Sequence, residues 1–146
     1  MAAENSGKLV TQVRQAAREV AEAQGLDLII VDGPPGIGCP VIASITGVSL
    51  VLVVTEPTLS GAHDLKRVAE LTRHFKIPTA VCINKCDLNL ALALQMESEA
   101  GQEGVRVVGK IPYDPAVTRA QLAEQSLVEY QDGDLAEKIK EMWRQI

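Results

Sequence analysis

Apolar residues along this chain alternate between two kinds of pattern. Short, nearly unbroken apolar runs occur at Leu28–Asp32, Leu50–Thr55, Ala80–Asn84 and Arg106–Lys110. Runs without polar alternation read as strands covered on both faces, as in a parallel sheet. Between and around them, helical spacing predicts helices over Pro40–Thr46, Gly61–Phe75, Asn89–Gly101, Ala116–Glu124 and Leu135–Gln145. A further helix, over Gly7–Gln24, follows from the spacing of Leu9, Val13, Ala16, Ala17 and Val20. Asn5 or Ser6 is its candidate N-cap and Gly25 its stop, while Ser60 is a candidate N-cap and Asp114-Pro115 a helix start further on. Strands alternating with helices predict one α/β domain with a mostly parallel sheet and right-handed crossovers. No internal repeat, low-complexity segment or long linker interrupts it.

Composition narrows the picture. The chain has 146 residues, enough for one domain with a sizeable core. Hydrophobic residues make up 47% and aromatic ones only 3%, so the core is expected to be aliphatic. A net charge of -5 disfavours unspecific nucleic-acid binding through the bulk surface, and no nucleic-acid partner is expected. No apolar run approaches the roughly 20 residues of a membrane span, and no signal peptide is visible. Three cysteines without a framework suit a reducing cytoplasm.

Two segments carry candidate chemistry. In LDLIIVDGPPGIG, Leu26–Gly38, the apolar run ends in Asp32 and a glycine- and proline-rich turn. A carboxylate at the carboxyl end of a parallel strand lies where open α/β sheets bind ligands. There it can hold magnesium through water, while the glycines let backbone N–H groups approach a phosphate. The same residues also make an ordinary strand-to-turn junction. In TAVCINKCD, Thr79–Asp87, a second apolar run ends in Asn84, Lys85, Cys86 and Asp87. Asn84 can pair with a purine edge, the Lys85 stem can lie along the ring, and Asp87 could accept two hydrogen bonds from guanine. N-K-x-D also makes turns and helix caps.

With these residues in view, the chain resembles the later part of a MinD/ParA/Mrp-type P-loop ATPase. Within that group it is most similar to the MinD-superfamily branch carrying an inserted ferredoxin domain. The matching stretches are ENSGKLV, IIVDGPPGIGCPVIAS, VTEPTLSGAHDL, AVCINKCDLN and GKIPYDPAV, in family order over nearly the whole chain. The resemblance implies a partial, Rossmann-like P-loop NTPase fold, a three-layer sandwich, with 1–146 as the C-terminal portion of the nucleotide-binding domain. It implies that Asp32 through Gly36 form the Walker B/switch II turn, Asp32 orienting magnesium and its water and the Gly36 amide following the terminal phosphate. It places Asn84 and the region Pro112–Asp114 around the adenine, and Thr55–Thr58 along the cleft. The D-x-P-x-G spacing of Asp32, Pro34 and Gly36 matches this group and favours ATP, whereas Asp87 completes a guanine-reading pattern.

One departure is an absence. No G-x-x-x-x-G-K-[ST] phosphate cradle occurs: Gly33–Gly38 is followed by Cys39-Pro40, and Ser6-Gly7-Lys8 by Leu9. The first P-loop strand, the cradle and any ferredoxin portion are therefore expected to lie outside the sequence. Its absence would leave two sheet edges open to each other or to another molecule. Cys39 follows the aspartate at a spacing similar to that of the nitrogenase iron protein, which implies an iron–sulfur cluster shared between subunits; a small residue packed at a helix start is the favoured reading of it. Cys82 reads as a buried strand residue and Cys86 as a loop residue. His63, His74 and Lys8 read as solvated surface, and Trp143 as the docking anchor of the last helix. The resulting expectation is a fragment of an iron–sulfur-associated MinD-like ATPase, homodimeric when complete and inactive as this chain alone. A partner-interaction domain without catalysis, or a guanine-nucleotide switch, are the alternatives.

Overall fold

The computed structural model describes residues 2–146, with side chains from Gly7 onward. The chain divides into two compact units, Met1–Val48 and Ser49–Ile146. The first contains α1 (Ala2–Gln24) and α2 (Cys39–Ile45). The second runs β1 (Val51–Thr55), α3 (Leu59–His74), β2 (Thr79–Asn84), α4 (Leu90–Gln102), β3 (Arg106–Ile111), α5 (Pro115–Leu122), α6 (Leu127–Tyr130) and α7 (Asp134–Arg144).

In the second unit the strands form one parallel sheet in the order β1-β2-β3. β2 is central, and Ala80, Val81 and Ile83 are wholly buried. Side chains alternate across it. Val81 and Ile83 pack with Leu65 and Ala69 of α3 and with Ala93, Met96 and Ala100 of α4. Cys82 packs on the opposite face with Ala116 and Ala120 of α5, Leu127 of α6 and Leu135 of α7. This is a three-layer α/β sandwich with an almost purely aliphatic core. In β3 the alternation is broken by a bulge: Val81 pairs with Val107, but Cys82 pairs with Gly109, leaving Val108 as the extra residue. Val107 packs on the α3–α4 face and Ile111 on the α5–α7 face. Without the bulge, two residues an even number apart would share a face.

Helix ends follow their local chemistry. α3 is capped by Thr58, whose Oγ1 accepts the Gly61 N–H at 2.9 Å, so Ser60 lies inside the helix and does not cap it. Asn89 caps α4 and Asp114 caps α5, the latter with Pro115 in the first turn. The short α6 carries a capping box between Ser126 and Glu129, with Ser126 Oγ 2.6 Å from Glu129 Oε2. α7 buries Leu135 and Ala136 and lays Met142 over Gly109 of β3, while Trp143 is 51% exposed.

The first unit departs most from expectation. α1 begins at Ala2, so Asn5 and Ser6 are helical rather than caps. Gly25 does stop the helix: its φ of +64° is left-handed, and the Leu26 N–H donates to the Ala21 carbonyl at 2.9 Å. Residues 26–34 carry no regular secondary structure, so the expected strand Leu28–Asp32 is not formed. Leu28 and Ile30 are 59% and 73% exposed. An apolar run becomes a strand only where neighbours take up its N–H and C=O groups. Among the described residues the sheet holds β1, β2 and β3 alone, and none pairs with this run.

Candidate functional site

The best-defined site lies where the second unit's strands end. All three point the same way, so the loops after Thr55, Asn84 and Ile111 emerge together at the carboxyl edge, where α/β sheets bind ligands. Three interactions tie these loops. Lys85 Nζ lies 2.6 Å from Glu56 Oε1, joining the loops after β2 and β1. The Cys86 N–H donates to the Ile111 carbonyl at 3.0 Å, and Asp87 Oδ1 accepts the Tyr113 N–H at 2.7 Å; both join β2's loop to β3's.

Local backbone shape makes this convergence. Lys85 has a φ of +50°, a left-handed conformation uncommon outside glycine. It turns the chain sharply out of β2 and is set by the neighbouring Asn84, whose Oδ1 accepts the Lys85 N–H at 3.0 Å. With that oxygen engaged, the Asn84 amide presents its NH2 as donor, the group a purine ring nitrogen would accept from. Asp114 Oδ1 accepts the Ala116 N–H at 2.7 Å, so its carboxylate serves the start of α5. Asn84, Lys85 and Cys86 are half-buried, as are Pro112 and Asp114, whereas Asp87 and Tyr113 are exposed. The two side chains of the Lys85–Glu56 pair keep 38% and 40% of their surface. Such a pair contributes at most about 1 kcal/mol, so it positions the lysine more than it stabilises the fold.

Sequence reasoning found Asn84, Lys85, Asp87, Pro112 and Asp114, and the structure brings all five to this edge. Glu56 was read within Thr55–Thr58 as lining a cleft or making a turn; its pairing with Lys85, and the Tyr113 N–H bond to Asp87, have no signature in the sequence.

In the first unit, Asp32 is exposed on the irregular segment preceding the turn 35–38. It does not stand at the end of a strand, because that strand is absent. Gly36 adopts φ +91°, a conformation that favours glycine, and this shapes the turn. Cys39 is exposed and opens α2, with Gly38 as N-cap and Pro40 following. α2 packs on α1 where Gly7 lies beside Cys39, and through Arg14, whose Nη1 donates to the Ala43 carbonyl at 2.7 Å. Arg18 Nη2 reaches the Gly47 carbonyl, so two guanidinium groups serve the carboxyl end of α2. Burial and the neighbouring Arg18 lower the Arg14 pKa. Beside this contact an open groove of about 520 Å³ is lined by Gly7, Lys8, Thr11, Cys39 and Ile42 among others.

Cys82 tests the burial of the sheet. Desolvation, with a contribution from Cys86, pushes its thiol up from 9.0 to about 11. The raised value means that the folded state favours the neutral thiol. The resulting stability is full below pH 9 and is lost as pH rises toward 11. At pH 8, a thiol reagent is expected to modify exposed Cys39 within minutes and Cys82 only on unfolding. Equal rates for the two, separated by mass spectrometry of peptides, would contradict the buried placement.

No protein-family model matches the chain. An uncharacterized protein of Methanocaldococcus jannaschii is 28% identical over 97% of this chain and 46% of its own length. The MinD cell division protein of Aquifex aeolicus superposes with a TM-score of 0.73 at 19% identity, covering 90% of this chain and 57% of that one. The septum site-determining protein MinD of Pyrococcus horikoshii, solved as a complex with Mg-ADP, gives 0.68 at 18% identity over 82% and 49%. The chain thus spans about half the length of the proteins it is similar to. Over the part it spans, it shares the Rossmann-like α/β fold of those MinD structures.

Proposed function

We propose that the second unit of this chain supplies the base-binding loops of an ATP site, as in a MinD-like ATPase, and that the first unit carries a switch aspartate. The observation that carries the reading is the tied carboxyl edge of the parallel sheet, where Asn84, Lys85, Pro112 and Asp114 meet in a fold shared with the MinD ATPases. Asn84 would donate to the purine, with the Lys85 stem and Pro112 offering apolar surface to the ring. Asp32 is a hard oxygen donor on an exposed irregular segment next to Gly33, which suits magnesium held through water. Magnesium, when bound, neutralises phosphate charge. The Gly36 amide would follow the terminal phosphate, coupling the nucleotide state to the turn.

The complete protein, on this reading, adds the phosphate cradle and a ferredoxin portion, works as a cytoplasmic homodimer, and couples ATP to electron transfer or cluster handling. Cys39 would contribute to a cluster shared between subunits. Without the cradle, this chain should bind Mg-ATP weakly and hydrolyse it no faster than buffer. Calorimetry and phosphate release on the purified chain test both points. Heat of binding for Mg-ATP, diminished in Asn84→Ala, with no phosphate release is the expected result. Robust hydrolysis abolished by Asp32→Ala would contradict the division of labour, and no binding at millimolar nucleotide would contradict the site.

A further inference from the structure

Asp87 occupies the position from which a carboxylate could read guanine, yet the structure gives it another task. Its Oδ1 accepts the Tyr113 N–H at 2.7 Å across 26 residues of sequence. Tyr113 sits in the short loop between β3 and α5. That loop is anchored at one end by the Cys86 N–H bond to the Ile111 carbonyl and at the other by Asp114 capping α5. Between these anchors, Asp87 is the side chain that fixes the loop. A guanine reader must present both carboxylate oxygens in the plane of the base, one to each of two ring-edge donors. Here a main-chain N–H sets the orientation of the carboxylate. A charge-assisted bond of this kind is stronger than a neutral one, so a base would have to displace it.

We infer that Asp87 is a positioning residue that holds the Pro112–Asp114 loop against the β2 loop, and that its carboxylate consequently does not read guanine. This rests on the ATP-site reading above. Lys85 and Pro112 then flank the base, while Asp87 acts on it only through the loop.

Two substitutions separate positioning from reading. Asp87→Asn keeps an oxygen that accepts the Tyr113 N–H, whereas Asp87→Ala removes it. Hydrogen exchange at the Tyr113 amide, followed by NMR on the full chain, is expected to accelerate about tenfold in Asp87→Ala and to stay near the wild-type rate in Asp87→Asn. Titrations with the magnesium salts of ATP, GTP and xanthosine triphosphate run in parallel. ATP should bind at least as well as GTP in the wild type, weaken about tenfold in Asp87→Ala, and recover in Asp87→Asn. A reader of guanine behaves otherwise: Asp87→Asn would lose GTP and gain the xanthosine nucleotide, which would overturn the inference. Unchanged Tyr113 exchange in Asp87→Ala overturns it as well, with or without nucleotide. Should the wild type bind none of the three, the ATP-site reading fails, and the exchange data alone decide the positioning role.

Discussion

Gly61→Ala is expected to destabilise the second unit by about 2–3 kcal/mol, a loss of roughly 10 °C or more in its melting midpoint. Gly61 lies in the first turn of α3, two residues past the first helical residue Leu59. A Cβ there would approach the Glu56 carbonyl oxygen more closely than real Cβ atoms do, and would lie 2.7 Å from Thr55 Oγ1. Neither is a flexible side-chain end. Glu56 is held by its pairing with Lys85, and Thr55 Oγ1 donates to the Gly61 carbonyl at 3.2 Å. Relief would require the loop after β1 to move, and with it the edge where Glu56 meets Lys85. The usual gain from replacing a helical glycine, about 1 kcal/mol, offsets only part of this. Gly101→Ala in α4 is the matched control, since its Cβ would meet open space and should stabilise by up to about 1 kcal/mol. Urea denaturation of both variants reads the contrast, and equal midpoints would contradict the close packing drawn here.

Ile83→Ala should cost about 3–4 kcal/mol. Ile83 is fully buried in the central strand, among Leu65, Val81 and Met96, and immediately precedes Asn84. Truncation leaves a cavity between the sheet and the α3–α4 layer, and β2 is paired on both sides and cannot collapse into it. Val54→Ala, on a residue 61% exposed, should cost less than about 1 kcal/mol. The two together ask whether the strand carrying the site is supported as the structure shows. Similar losses for both would contradict it.

The strands and helices of the second unit were legible because their patterns are local. Unbroken apolar runs gave β1, β2 and β3 to within a residue, and the helix start at Asp114-Pro115 stood out by residue type. The capping box of Ser126 and Glu129 went unread, because its helix is only Leu127–Tyr130, too short to show a period. Ser60 was the expected cap, but Thr58 takes that place, and among residues of the same capping type only the hydrogen bond to Gly61 shows which one acts. The bulge at Val108 and the Asp87–Tyr113 bond were beyond reach: one depends on pairing partners, the other on residues far apart in sequence. Leu28–Asp32 failed for a different reason. Apolar side chains say that a segment prefers burial, but a strand also needs hydrogen-bonding neighbours, and no pattern within the segment supplies those.

The account stands on a purine seat at the end of β2 and β3, and the most direct measurement is an NMR titration of the whole chain with Mg-ATP. Amide shifts that change saturably at Asn84–Asp87, Tyr113 and Asp114, and fade in Asn84→Ala, are the predicted result. Silence at those residues up to millimolar nucleotide, or saturable changes only elsewhere in the chain, would contradict it.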